Sequence, residues 1–269
     1  MKVMHVLFRS SIGKKFTMAV SGFILFGFVI GHLSGNLQIF AHPDKINAYA
    51  HFLGSLGPAL WVIRLFLLAT LVVHVWVAAQ LTIENKRARQ KNYEKQVTLR
   101  ATMASRYMRL SGVTVFVFII YHLLHFTVRV THGAEAYPTT ILADGTQVRD
   151  VHSMIVLGFQ NPVIAIFYLL SVGLLSWHLA HGLVSMFQSL GLRTRTWARF
   201  LGRVTIVVCV LYFLGNALIV AACYYEWGNA RIQNPQIAGF ACRTDCEVCG
   251  ARTADAIADA IDGSKESQS

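Results

Sequence analysis

Six histidines lie inside long apolar runs of this chain: His32, His74, the pair His122 and His125 in "YHLLHF", and the pair His178 and His181 in "WHLAHG". An ionisable side chain in such a run is costly to bury and marks a functional site by default, and neutral imidazole is a common metal ligand. Three residues apart on a helix puts both members of a pair toward one face. A lone buried histidine is as readily a packed side chain bonded to a backbone carbonyl or a hydroxyl, but here four different runs carry one. Zinc or di-iron chemistry fits less well. Those sites need ligands converging at one level, with carboxylates for di-iron, and these runs hold no Asp or Glu until the end of the last.

The elements that must position these histidines follow from composition. The chain has 269 residues, 55% hydrophobic and 14% charged, against about 25% charged in a soluble domain. Five runs, near 16–40, 61–83, 107–130, 160–187 and 203–226, are long enough to cross a bilayer at roughly 20 residues each. The expected fold is an all-α integral membrane protein with four of its five helices bundled around the histidines. Residues 1–229 form the membrane domain and 230–269 a polar tail. No internal repeat is evident, and the N-terminus lacks the apolar core and small-residue cleavage site of a removable signal peptide. The net charge of +11 reads in a membrane protein as cytoplasmic loops meeting anionic headgroups. No basic patch interleaved with aromatics points to nucleic acid.

Charge orients the spans. Sixteen of the 24 Lys and Arg fall before the first run, between the second and third, and between the fourth and fifth. By the positive-inside rule the N-terminus is inside and the C-terminus outside. At ~1.5 Å per residue, His32 and His122 then share a level ~6 Å outward of the span middles. His74 and His178 share another, ~10 Å deeper toward the inside. His125 and His181 lie one turn nearer the outer and inner surfaces. Two histidines facing each other at equal depth are what bis-histidine ligation of a haem requires, so two levels mean two stacked b haems. Gly35, Ala78 and Gly182 follow His32, His74 and His178 on the same faces, where small residues let a macrocycle approach; helix packing explains them equally.

These residues carry a resemblance. "SSIGKKFTMAVSGFILFGFVIGHLSGNLQIF", "NAYAHFLGSLGPALWVIRLFLL", "IENKRARQKNY" and "FIIYHLLHFT" resemble the cytochrome b subunit of succinate dehydrogenase, in its five-helix, single-subunit, dihaem form, over roughly residues 9–228. The resemblance implies His32 and His122 on a distal haem b and His74 and His178 on a proximal one, as the depths do independently. It implies a flavoprotein subunit with FAD and an iron–sulfur subunit on the cytoplasmic face, where "ENKRARQKNYEK" is a docking candidate. It also implies a bacterial cytoplasmic (inner) membrane location, and electron transfer to a quinone, commonly menaquinone. Where some fumarate-reducing relatives carry a Glu two residues before the fourth-span ligand, this chain has Ser176, so a compensating proton pathway of that kind is not expected. The dihaem anchor of a hydrogenase or formate dehydrogenase, and a haem-free membrane scaffold, are the rival readings.

Around the haems, Ser11, Lys14, Arg106 and Arg109 are inner-side propionate candidates. His125 is a propionate or quinone contact, with His181 its inner counterpart. Asn36, Gln38, Tyr49 and His51, in the first outer loop, are quinone candidates, and Trp61 with Arg64 reads as an interface anchor. Cys209 and Cys223 are expected to be buried thiols. Cys242, Cys246 and Cys249 in the tail resemble a cluster-binding spacing without the surrounding domain. The bland alternative is one disulfide and one leftover thiol.

Overall fold

The structure, a computed structural model, describes residues 10–88, 103–132 and 138–233, with backbone alone at 103–106 and 226–233. Five helices are long and apolar enough to cross a membrane: Ser11–Phe40, Pro58–Arg87, Tyr107–Val128, Pro162–Ser189 and Ala198–Tyr225. All five expected runs are therefore helical spans, each within five residues of its expected limits. In chain order the helices are α1 (Ser11–Asn36), continued by a 3-10 turn (Leu37–Phe40), α2 (Pro43–Ser55), α3 (Pro58–Arg87), α4 (Met103–His122), α5 (Val151–Gly158), α6 (Pro162–Ser189) and α7 (Ala198–Gln233). A π-helical segment, Leu123–Val128, continues α4. A two-stranded antiparallel hairpin, β1 (Thr139–Ile141) and β2 (Gln147–Arg149), precedes α5.

Local chemistry sets the boundaries. Ser10 caps α1, its Oγ accepting from Gly13 N at 2.9 Å. Asn161 caps α6 by accepting from Val163 N at 2.9 Å, with Pro162 in the first turn, where a missing N–H costs nothing. Gly191, at φ +72°, ends α6 in a left-handed turn closed by Leu192 N on Phe187 O at 2.9 Å. Asp150 caps α5 through Ser153 N at 3.0 Å and Ser153 Oγ at 2.7 Å. The same carboxylate accepts from Asn47 Nδ2 of α2 at 3.1 Å, and Asn47 Oδ1 accepts from His152 N at 3.0 Å. Asn47 is 2% exposed, so one buried amide ties α2 to α5.

The chain divides into two compact units, Met1–Cys223 and Tyr224–Ser269. Of the second, the described residues show only α7 running on to Gln233; Cys242, Cys246 and Cys249 lie outside them. In the first unit the close backbone pairs among the spans are α1 with α3, α4 with α6, and α1 with α6. Neither α1 with α4 nor α3 with α6 is a close pair among the described residues. α7 packs by side chains, Leu33 lying over Gly215 and Phe213 over Gly173. Cys209 and Cys223 are buried as expected. Arg64 lies over the Trp61 ring, 5.2 Å from its centre, as an interface anchor does.

Candidate functional site

On α1, Lys14, Ser21 and His32 are spaced by seven and eleven residues, near two and three whole turns, so one stripe carries all three. Ser21 Oγ donates to the Thr17 carbonyl at 2.8 Å. Its single proton is committed there, so toward His74 Nδ1, 3.0 Å away, it can only accept. In that arrangement His74 of α3 carries its proton on Nδ1 and keeps the Nε2 lone pair. Ser111 of α4 does the same for His178 of α6: its Oγ donates to the Met108 carbonyl at 3.0 Å and stands 3.4 Å from His178 Nδ1. A glycine follows each serine. A Cβ at Gly22 would stand 3.3 Å from His74 Cε1, and one at Gly112 3.5 Å from His178 Cε1, so each imidazole rests against bare helix backbone.

This arrangement was written in the sequence and is easily missed. "SGFILFGFVIGH" (21–32) and "SGVTVFVFIIYH" (111–122) share Ser-Gly, two Phe and His at identical spacing. An internal repeat is therefore present, contrary to expectation; it spans only one helix per half and hides in apolar sequence. Its copies behave alike. Phe28 packs on His32 with ring centres 5.5 Å apart, and Phe118 on His122 at 5.8 Å. In each half the first helix holds the second helix's histidine through serine, and ends its own stripe in a histidine.

Those two histidines, His32 and His122, meet, with ring centres 5.8 Å apart and planes at 86°. Two nitrogen–metal bonds of ~2 Å each, plus the half-widths of two imidazoles, come to about 6 Å. His74 and His178 are electrostatic neighbours. The pairing His32 with His122 and His74 with His178 thus runs between α1 and α4 and between α3 and α6, the helix pairs whose backbones stand apart. On α1 the two contact points are eleven residues apart, ~16 Å of helix, against ~10 Å between the expected levels. The difference arises because α1 starts at Ser11, not near residue 16, which leaves His32 farther from its middle.

His122 and His125 both approach Tyr168 of α6, but they are separated by a change of helix type. The π segment begins at Leu123 and ends at Arg129 in the left-handed region, φ +63°. A wider turn rotates each residue less, so three residues fall further short of a revolution; such bulges gather at functional sites. His125 is 1% exposed, stacked between Phe126 (4.0 Å) and His132 (4.7 Å), with Gly158 of α5 against its Nε2 edge. Its Nδ1 is 2.9 Å from Tyr168 Oη, and that hydroxyl is 3.5 Å from His122 Nδ1. Tyr168, on α6, was not anticipated; nothing in its sequence surroundings marks it.

Of the other candidates, Lys14 is buried and ion-paired with Glu84 of α3, while Ser11 and Arg109 are exposed. The Arg106 side chain and the docking run beyond residue 88 lie outside the described residues. His181 Nε2 is 3.2 Å from Ser185 Oγ. Asn36 Nδ2 is 3.2 Å from His32 Nε2. Gln38 is half-buried in the 3-10 turn. Tyr49 covers Gly35, where a Cβ would meet its ring at 2.9 Å; what approaches that glycine is tyrosine. His51 lines a cavity of about 660 Å³ with Ser55, Thr139, Gln147 and Arg149. Burial, and then the charge of Arg129, lower the Arg149 guanidinium from its ordinary value. Ser176 Oγ is buried with no hydrogen-bond partner.

Residues 86–215 match the family model of the succinate dehydrogenase/fumarate reductase transmembrane subunit. Over that stretch the chain is similar to this family. No match was found among curated proteins or among solved structures. The matched stretch holds the second copy of the repeat, His122, His125, Tyr168, His178 and His181. His32 and His74 lie outside it, so their meeting with His122 and His178 is independent of the match. The chain has five helices long and apolar enough to cross a membrane, as suits the membrane subunit that the matched family describes.

Proposed function

We propose that this chain is the dihaem cytochrome b and membrane anchor of a succinate:quinone oxidoreductase, with His32 and His122 on an outer haem b and His74 and His178 on an inner one. The observation that carries the reading is the pair of serine-held imidazoles. A metal-ligating histidine almost always gives its second ring N–H to a fixed acceptor, and Ser21 and Ser111 supply that acceptor twice, on matched helices. A bis-histidine haem takes two protein ligands per iron. When bound, the haems supply one-electron transfer in two short steps across the bilayer.

The chain's own residues do the rest. The serines and glycines orient the inner imidazoles. Asn36 Nδ2 stands 3.2 Å from His32 Nε2, so iron ligation there requires that contact to be given up. Lys14, held by Glu84, and Ser11, Arg106 and Arg109 form the basic inner end where propionates and the iron–sulfur partner meet. The positive-inside distribution supports an inside N-terminus and the flavoprotein and iron–sulfur subunits on the cytoplasmic face of a bacterial inner membrane. Of the quinone candidates His51 is best supported, because it lines a cavity within the ~300–1,000 Å³ range of small-molecule sites. Menaquinone is the expected acceptor. Purification of the complex tests the reading: a flavin subunit should copurify, and succinate should reduce a b-type α band that menaquinone reoxidises. A complex without covalent FAD, or a haem that succinate leaves oxidised, contradicts it.

A further inference from the structure

The two ends of the bundle hold their imidazoles differently. The inner pair leans on serine hydroxyls, each donating to a carbonyl of its own helix. His122 has Tyr168 Oη at 3.5 Å, and behind that hydroxyl, at 2.9 Å, stands His125 Nδ1. Building on the dihaem reading above, we propose that Tyr168 and His125 are positioning residues that set the electron donation of the ligand His122, and with it the potential of the outer haem. The direction of the chain follows from proton counting. Nε2 ligation leaves the proton on His122 Nδ1, so Tyr168 Oη accepts it. The hydroxyl has one proton of its own, and the shorter contact takes it to His125 Nδ1. His125 cannot swing away: the rings of Phe126 and His132 stack on it and Gly158 closes its Nε2 edge. A side chain at Gly158 would strike His125 Nε2 at 3.0 Å and Phe126 at 3.1 Å.

A chain of hydrogen bonds polarises each member. With His125 accepting, Tyr168 is a better acceptor for His122 N–H, the ligand becomes more electron-rich, and ferric iron is favoured. Tyr168→Phe removes the chain and should raise the outer potential. The expected shift is about tenfold in the reduced-to-oxidised ratio at fixed ambient potential, which is ~59 mV for one electron. The inner haem serves as an internal reference in the same redox titration of the purified complex, and the outer component is the one that His32→Ala removes. His125→Leu should shift the outer haem the same way by a smaller factor. His125→Gln, whose carbonyl can still accept from Tyr168, should restore it, a rescue that a purely packing role would not produce. Unchanged outer potentials in Tyr168→Phe and His125→Leu overturn the proposal, as does an equal shift of both haems. Should Tyr168→Phe lose the outer haem, an unmoved potential in His125→Leu overturns it and a raised one sustains it. Absence of any b-type band in the wild-type complex would instead overturn the dihaem reading itself.

Discussion

At the scale of single residues, histidine count says less than which ring nitrogen is already engaged. His74 and His178 are pinned at Nδ1 by serines that can only accept, and that fixes the tautomer a metal needs. Ser21→Ala and Ser111→Ala should each weaken retention of the inner haem about ten- to hundredfold and leave the outer one bound, as read from haem content after washing in detergent. Equal retention of both haems would remove the serines from the site. His122→Ala should cost one haem and His125→Ala none, because His125 points to Tyr168 and not to the His32 level. The six histidines in apolar runs were legible in sequence, and the contact of His32 with His122 supports the pairing proposed from their depth, which follows from charge and rise per residue. Tyr168 was not, because a tyrosine in an apolar helix is ordinary until its partner is known. Gly35 was legible as a close-approach position, but only tertiary packing says that Tyr49 is what approaches.

At the scale of elements, the repeat in α1 and α4 builds the site twice from one pattern: serine, glycine, two phenylalanines, histidine. Its spacing of eleven residues returns to the same helix face, which is why one stripe can hold a neighbour's imidazole at one end and offer its own at the other. The five spans were predictable because apolar length alone decides them. The π turn was not, because helix periodicity is assumed in any depth argument and no sequence signal marks its failure. Gly22→Val should push the His74 ring off α1 and lower inner-haem content as far as Ser21→Ala does, measured in the same way. The α2–α5 tie was equally hidden, since Asn47 and Asp150 are over a hundred residues apart. Asn47→Ala leaves a buried carboxylate oxygen and the His152 N–H short of partners, at a cost of ~1–3 kcal/mol. That should appear as a lower thermal midpoint of the purified protein with its haem spectrum unchanged at low temperature.

At the scale of the whole molecule, the close backbone pairs among the spans are α1 with α3, α4 with α6 and α1 with α6, and the facing histidines His32 and His122 sit on helices outside those pairs. Sixteen of the basic residues fall in the sequence before the first span and in the second and fourth inter-span stretches, which by the positive-inside rule favours an inside N-terminus and, on the proposed reading, an inner docking side for the iron–sulfur partner. Reporters fused before residue 10 and after residue 233 should respond on opposite faces of the membrane; the same face for both would overturn the orientation. The central claim is that four histidines make two separate two-ligand sites, and the most direct test is a count of haem b per chain in the purified wild type and in the four single alanine variants of His32, His74, His122 and His178. Two are expected in the wild type and one in each variant, with His32→Ala and His122→Ala losing the same spectral component and His74→Ala and His178→Ala the other. One haem or none in the wild type, or a component lost by His32→Ala and His74→Ala together, would contradict it.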